Sequence, residues 1–109
     1  MRYNLNRDSK RSQEVHVITK RRIIEAKHKY RNCVAALDGW FRVIEKNTFT
    51  SFSDLKKTFN SVDKVGDLFV FDIGGNKLRL IASIHFNRQK LYIRHILTHK
   101  EYDDGKWRN

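Results

Sequence analysis

The run Thr98-His99-Lys100-Glu101-Tyr102-Asp103 sets five titratable side chains next to one another, the densest such run in the chain. Histidine exchanges protons near neutral pH, lysine carries a fixed positive charge, and tyrosine adds an aromatic face. Upstream, Arg79, Tyr92 and Arg94 lie in stretches of alternating polarity. Arginine forks grip phosphate oxygens in pairs and aromatic rings stack on bases, so the mixture suits RNA better than duplex DNA. The same segment has a plain structural use. Thr98 and Glu101 fit the T-x-x-E capping box that starts a helical turn. The two uses are compatible, because a helix start leaves backbone N–H groups free to meet a phosphate.

From Asp67 onward the polarity period is two, which predicts three strands: DLFVFDI, KLRLIASIHF and KLYIRHILT. Gly74-Gly75-Asn76 and Asn87-Arg88-Gln89-Lys90 separate them, and both read as tight hairpins of an antiparallel meander. A two-residue turn at Gly74-Gly75 pairs Phe71 with Leu78 and sets Asp72 opposite Lys77. A turn at Arg88-Gln89 pairs Ala82 with His95. One face then collects Phe69, Phe71, Leu78, Leu80, Ala82, Ile84, Phe86, Leu91, Ile93 and Leu97, the side to be covered by helices. The other collects Leu68, Val70, Asp72, Lys77, Arg79, Ile81, Ser83, His85, Tyr92, Arg94, Ile96 and Thr98. An antiparallel sheet commonly leaves one face to water, so Arg79 and Arg94 read equally as solvated charges or as a phosphate-binding pair. His95 points the other way in this register, and reads as a hydrogen-bonded core histidine.

Upstream of the sheet, Val15, Val17 and Ile18 form a short strand-like start, with Thr19 as N-cap of a helix over KRRIIEAKHKYR. Ile23, Ile24 and Tyr30 are its apolar stripe. Its six basic residues against Glu25 give +5, a solvated basic face or a grip on a polyanion. The clearest helix places Val34, Leu37, Phe41 and Ile44 at 3, 4, 3 spacing, with Trp40 widening the stripe. Cys33 reads as a helix-interface residue. The Ser/Thr-rich link TFTSFS reads as a mobile connection, followed by a short helix from Ser53 with Leu55 and Phe59 facing inward.

At 109 residues the chain has room for one domain, and 39% apolar with 12% aromatic residues is more than a disordered basic tail carries. Its net charge of +11 asks for a polyanionic partner. Residues 1–14 show no pattern and carry four basic against two acidic residues, so the basicity belongs to residues 15–109. One cysteine closes no intrachain disulfide and builds no thiolate zinc cage, which favours a reducing compartment and no metal. No apolar run reaches membrane-spanning length, and the expectation is a cytoplasmic protein with no cofactor. No helix-turn-helix signature is visible.

From Val15 to Tyr102 or Trp107 the chain resembles the HigB toxins of bacterial type II toxin–antitoxin systems, a branch of the RelE-like endoribonucleases. The likeness rests on VHVIT, on VFDIGGNKLRLIA and on YIRHILTHKEYD. It implies an α+β, RelE-like fold: N-terminal helices on one face of an antiparallel β-sheet, then a short C-terminal helical turn. It also implies a ribosome-dependent cleavage of mRNA without a metal, a cognate HigA-like helix-turn-helix antitoxin, and DNA contact only through that antitoxin. Relatives commonly begin near VHVIT, so residues 1–14 read as a flexible leader outside the native start. Residues 15–109 are then a single toxin domain.

In RelE-like enzymes the RNA 2′-hydroxyl attacks the adjacent phosphate, which asks for a proton acceptor, cationic donors around the phosphorane and a proton donor for the 5′-oxygen. By resemblance, Arg79 matches the strand arginine that holds the scissile phosphate and Arg94 a second strand-borne basic group. His99 is then the proton shuttle, Lys100 electrostatic support and Tyr102 a stacking partner. Lys64, Lys77 and Tyr92 are candidate RNA contacts, and Lys20, Arg21 and Arg22 candidate grips on the ribosome. The rival reading is a catalytically inactive RNA- or ribosome-binding module on the same scaffold. Trp107 has no legible role at this level.

Overall fold

The computed structural model describes residues 14–108. Positions 1–13 of the expected leader lie outside the described residues. Five strands form one sheet: β1 (His16–Val17), β2 (Asp63–Val65), β3 (Leu68–Ile73), β4 (Leu78–His85) and β5 (Lys90–Thr98), in the order β1-β5-β4-β3-β2. The three expected strands are β3, β4 and β5. β1 lies parallel to β5 while the other pairings are antiparallel, so the sheet is mixed rather than a plain meander.

Three helices precede β2 and cover one sheet face: α1 (Lys20–Lys29), α2 (Val34–Glu45) and α3 (Phe52–Thr58). In α2, Leu37, Trp40 and Ile44 are buried, and the Trp40 ring meets Phe71 edge-on at 5.3 Å. In α1 the buried pair is Ile23 and Ala26, whereas Ile24 is 55% exposed, which corrects the expected stripe. Thr19 is also corrected. Its side chain makes no cap bond. Its hydroxyl instead accepts the Ile93 N–H at 2.6 Å and donates to the Ile93 carbonyl at 3.2 Å, extending the β1–β5 pairing by a side chain.

The TFTSFS link is pinned rather than mobile. Phe49 is buried, and its N–H donates to the Gln89 side-chain carbonyl at 3.0 Å. Ser51 caps α3 by accepting the Asp54 N–H at 3.1 Å. The link is thereby tied to the β4–β5 hairpin.

The helix-side core matches the expected face from Phe69 to Ile93, with Leu80 and Ala82 fully buried. Burying one such leucine is worth about 1.5–3 kcal/mol, which is what holds the register. Two details of that register differ from the tight-turn reading. The first hairpin turns through Gly74, Gly75 and Asn76, all at positive φ, and Ile73 pairs with Leu78. Asp72 therefore faces Arg79, and Lys77 lies in the turn. The shift is by two residues, so every side chain keeps its face.

The second difference changes faces. The β4–β5 pairing runs Ala82↔Ile93 and then Ile81↔His95, leaving Arg94 as an extra residue in β5. A bulge of this kind inverts the alternation beyond it. Ile96 consequently packs into the helix-side core, while Leu97 joins a second cluster on the outer face with Val70, Ile81, Trp107 and Tyr102. His95, expected in the core, pairs with Ile81 and stands on the outer face.

That outer face is only partly wet. α4 (His99–Asp104) ends at Gly105, whose φ of 75° turns the chain back into a final helical turn, Lys106–Arg108. Glycine takes that left-handed conformation without the Cβ penalty. Trp107 then covers Val70 and Ile81 and is 7% exposed.

Candidate active site and nucleic-acid interface

Arg79 projects from β4 onto the outer face, and its side chain is 13% exposed. Its Nη1 lies 2.9 Å from Asp72 Oδ1 on β3. That nitrogen makes no contact with hydrogen-bond geometry, so the pair is a charge contact and donor capacity is left over. The guanidinium also lies 5.5 Å from the Tyr102 ring centroid. Tyr102 is in turn stacked on Trp107, with centroids 5.1 Å apart and planes at 14°. The Trp107 indole N–H donates to the Tyr102 carbonyl at 2.9 Å, which fixes the stack. Arg79 is thus held between a carboxylate and an aromatic ring, a mount that limits its rotamers.

The THKEYD segment forms the expected capping box. Thr98 and Glu101 close the capping box: Thr98 Oγ1 accepts the Glu101 N–H at 3.2 Å, and Glu101 Oε1 accepts the Thr98 N–H at 2.9 Å. The Thr98 backbone bond holds the Glu101 carboxyl below the usual carboxylate range. Capping directs His99 and Lys100 outward, and both are exposed. His99 Nδ1 lies 3.2 Å from Asp103 Oδ2.

Around this centre the outer face continues along β5. Tyr92 pairs with Ser83 and meets the His85 ring edge-on at 5.5 Å. Arg94 is exposed on the bulge, and His95 is half-buried beside it. Burial, then Arg22 on α1, then Arg94 push the His95 imidazole below its ordinary value. Arg22 is exposed on α1. Arg21 is exposed one residue before it, and Lys20 is held 3.7 Å from Glu45 and over the Phe41 ring at 5.6 Å.

The structure brings together Arg79 and Tyr102, and seats His99 and Lys100 on the helix that carries Tyr102. Tyr92 shares their face, and Arg94 is exposed on the bulge. Lys77 is exposed in the hairpin turn rather than opposite Asp72. Lys64 lies on edge strand β2 opposite Phe69, the side that the helices cover, and so points away from Arg79. Trp107 and His95 join this face beyond what the sequence reading expects. An aromatic residue after the capped segment signalled the first. The pair Ile96-Leu97, apolar on both parities, signalled the second.

Among the described residues no three His, Cys, Asp or Glu side chains are grouped to hold a metal ion, and no helix is long and apolar enough to cross a membrane. A cleft of about 480 Å³ lies elsewhere, between α2 and β1, lined by Val15, Lys20, Asp38, Phe41 and Glu45 among others. Its walls mix both charge signs, which gives a polyanion no net attraction.

The HigB toxin profile, described as a RelE-like toxic component of a toxin-antitoxin system, matches residues 33–105. The mRNA interferase toxin HigB of Escherichia coli strain K12 is 39% identical over 92 residues, covering 82% of this chain and 88% of that protein. The mRNA interferase HigB of Shigella flexneri matches to the same extent. A further mRNA interferase HigB, from Escherichia coli O6:H1, is 35% identical over 92 residues. The profile match extends over β2 to β5 and α4.

Proposed function

This chain belongs to the HigB toxin family, and we propose that it is the toxin of a toxin–antitoxin pair that acts as an mRNA interferase, cutting mRNA on the ribosome and so inhibiting translation. What carries the reading is one observation: within the stretch that the HigB toxin profile matches, the outer face presents Arg79, mounted between Asp72 and Tyr102, beside the capped α4.

The proposed reaction is attack of the RNA 2′-hydroxyl on its own 3′-phosphate. The O2′–P bond forms, the P–O5′ bond breaks, and the products are a 2′,3′-cyclic phosphate and a 5′-hydroxyl. Negative charge grows on the non-bridging oxygens, where the spare donor capacity of Arg79 stabilises it. Lys100 adds positive potential from α4, and Arg94 holds a neighbouring phosphate. His99 supplies protons at the open edge of the site, where Asp103 orients its ring. Tyr102 supports Arg79 and offers its remaining edge to a base. Tyr92 is a second stacking surface. Lys77 serves the more distant backbone, and Lys20, Arg21 and Arg22 the ribosomal RNA.

An antitoxin partner belongs with this reading, with the helix-turn-helix HigA type as the expected class. The protein then works in the cytoplasm, where the translating ribosome is. Induction of the wild-type chain should arrest growth and leave cut messages that primer extension maps. Arg79→Ala and His99→Ala, folded by circular dichroism, should relieve both. Unimpaired growth with intact mRNA under wild-type induction rejects the nuclease and favours the silent binding module.

A further inference from the structure

We propose, on the reading of this chain as an RNA endonuclease, that His95 is the side chain that accepts the 2′-hydroxyl proton. The geometry begins with the bulge. Arg94 is the extra residue between the Ala82↔Ile93 and Ile81↔His95 pairs, and it moves His95 from the helix side to the outer face. Bulges recur next to active sites because they re-aim one side chain without moving the sheet.

Across the strand, His95 stands opposite Ile81, whose outward neighbours on β4 are Arg79 and Ser83. Diagonal neighbours of this kind lie about 7–8 Å apart at the backbone, within reach of one phosphate and its ribose. Arg79 Nη1 and Ser83 Oγ are both buried and have no hydrogen-bond partner. Among the described residues such side-chain atoms number three, the other being Trp40 Nε1 in the helix-side core. Arg79, whose Nη1 has only its charge contact with Asp72, and Ser83, whose hydroxyl has no hydrogen-bond partner, flank Ile81 on the face where His95 stands.

The charges acting on His95 favour the role. Arg22 reaches it from α1 and Arg94 from its own strand; Arg79 on β4 carries its counter-charge in Asp72. Burial and the two free cations keep the imidazole neutral at physiological pH, the form that accepts a proton. In the step itself a ring nitrogen takes the 2′-hydroxyl proton as O2′ bonds to phosphorus. The 5′-oxygen leaves with a proton from His99, and the phosphorane charge rests on Arg79 and the Ser83 hydroxyl. His95 ends protonated and returns its proton to water.

The test is single-turnover cleavage of ribosome-bound mRNA by the full chain and its His95→Gln variant, across about pH 5–8. The wild-type rate should fall on the acid side with an apparent pKa below the ordinary histidine value. His95→Gln should cut about 100-fold or more slowly, lack that acid limb, and keep ribosome co-sedimentation and, at neutral pH, melting temperature. A variant cutting within about 3-fold of wild type, with the same limb, overturns the assignment. So does a wild-type rate that is flat on the acid side, a result that needs no variant to fold. A wild-type protein that binds ribosomes and cuts nothing at any pH rejects the endonuclease reading itself.

Discussion

Arg79 and Asp72 stand directly opposite each other on β4 and β3, with a 2.9 Å charge contact between them and little solvent around the guanidinium. The pairing gives each partner a different mutational signature. Arg79→Ala removes the phosphorane donor and should lower cleavage about 100- to 1,000-fold. Arg79→Lys keeps the charge but loses the planar fork and should rescue little of it. Asp72→Asn leaves Arg79 without its counter-charge, and urea unfolding should register a loss of about 1–2 kcal/mol, moderated by the partial exposure of Asp72. Added RNA should restore more stability to Asp72→Asn than to wild type, since a phosphate then takes the vacated place.

Trp107 has a separable role. It seals Val70 and Ile81 from above and holds Tyr102 by a stacked face and an indole hydrogen bond. Trp107→Ala should cost about 3 kcal/mol in unfolding free energy through the cavity it leaves. Trp107→Phe keeps the stack and loses the hydrogen bond to the Tyr102 carbonyl. That loss should amount to about 1 kcal/mol with cleavage largely retained. Loss of cleavage in Trp107→Phe comparable to that in Arg79→Ala would show that indole and substrate meet directly.

The parts legible in the sequence are those set by local period and by caps. Phe71 and Leu80 kept their face even though the first hairpin is two residues longer than assumed, because a shift of two preserves parity. Thr98 and Glu101 cap as their spacing dictates. What escaped depends on long-range partners. Thr19 looks like an N-cap from its neighbours, and only the proximity of Ile93 draws its hydroxyl across the sheet. The Arg94 bulge inserts one residue into an unbroken alternation, so Ile96, Leu97 and His95 all change sides. Trp107 acquires its position only once Gly105 has turned the chain.

The capping box carries a pH dependence. Glu101 is more acidic folded than unfolded, chiefly through the Thr98 backbone N–H. It therefore stabilises the fold above its unfolded pKa, and that contribution is lost as pH falls through the lower folded value. Thr98→Ala should cost about 1 kcal/mol at neutral pH, since it removes the hydroxyl that accepts the Glu101 N–H. Glu101→Gln should flatten the acid limb of melting temperature against pH. His95 acts in the same direction at higher pH: its lowered pKa means stability is lost as pH falls from the ordinary histidine value through the folded one. His95→Gln should remove that second step while leaving the first.

Arg22 acts on the His95 imidazole from the basic helix, which makes charge reversal on α1 more informative than its surface position suggests. Lys20 lies 3.7 Å from Glu45, and that carboxylate also accepts the Val17 N–H on the open side of β1. Reversing Lys20 would crowd two carboxylates at the sheet edge, so Lys20→Gln with Arg21→Glu and Arg22→Glu is the cleaner variant. Each lost cation should lower the salt slope of ribosome binding by about 1, with weaker co-sedimentation at physiological ionic strength. Unchanged co-sedimentation would remove α1 from the ribosome contact. Arg22→Glu alone makes a second demand. Arg22 helps push the His95 imidazole below its ordinary value, so an acidic side chain in its place raises that pKa. The acid limb of the cleavage profile should then move to higher pH in this variant. Arg21→Glu, one residue earlier on the same exposed turn, should weaken ribosome binding and leave the limb where it was.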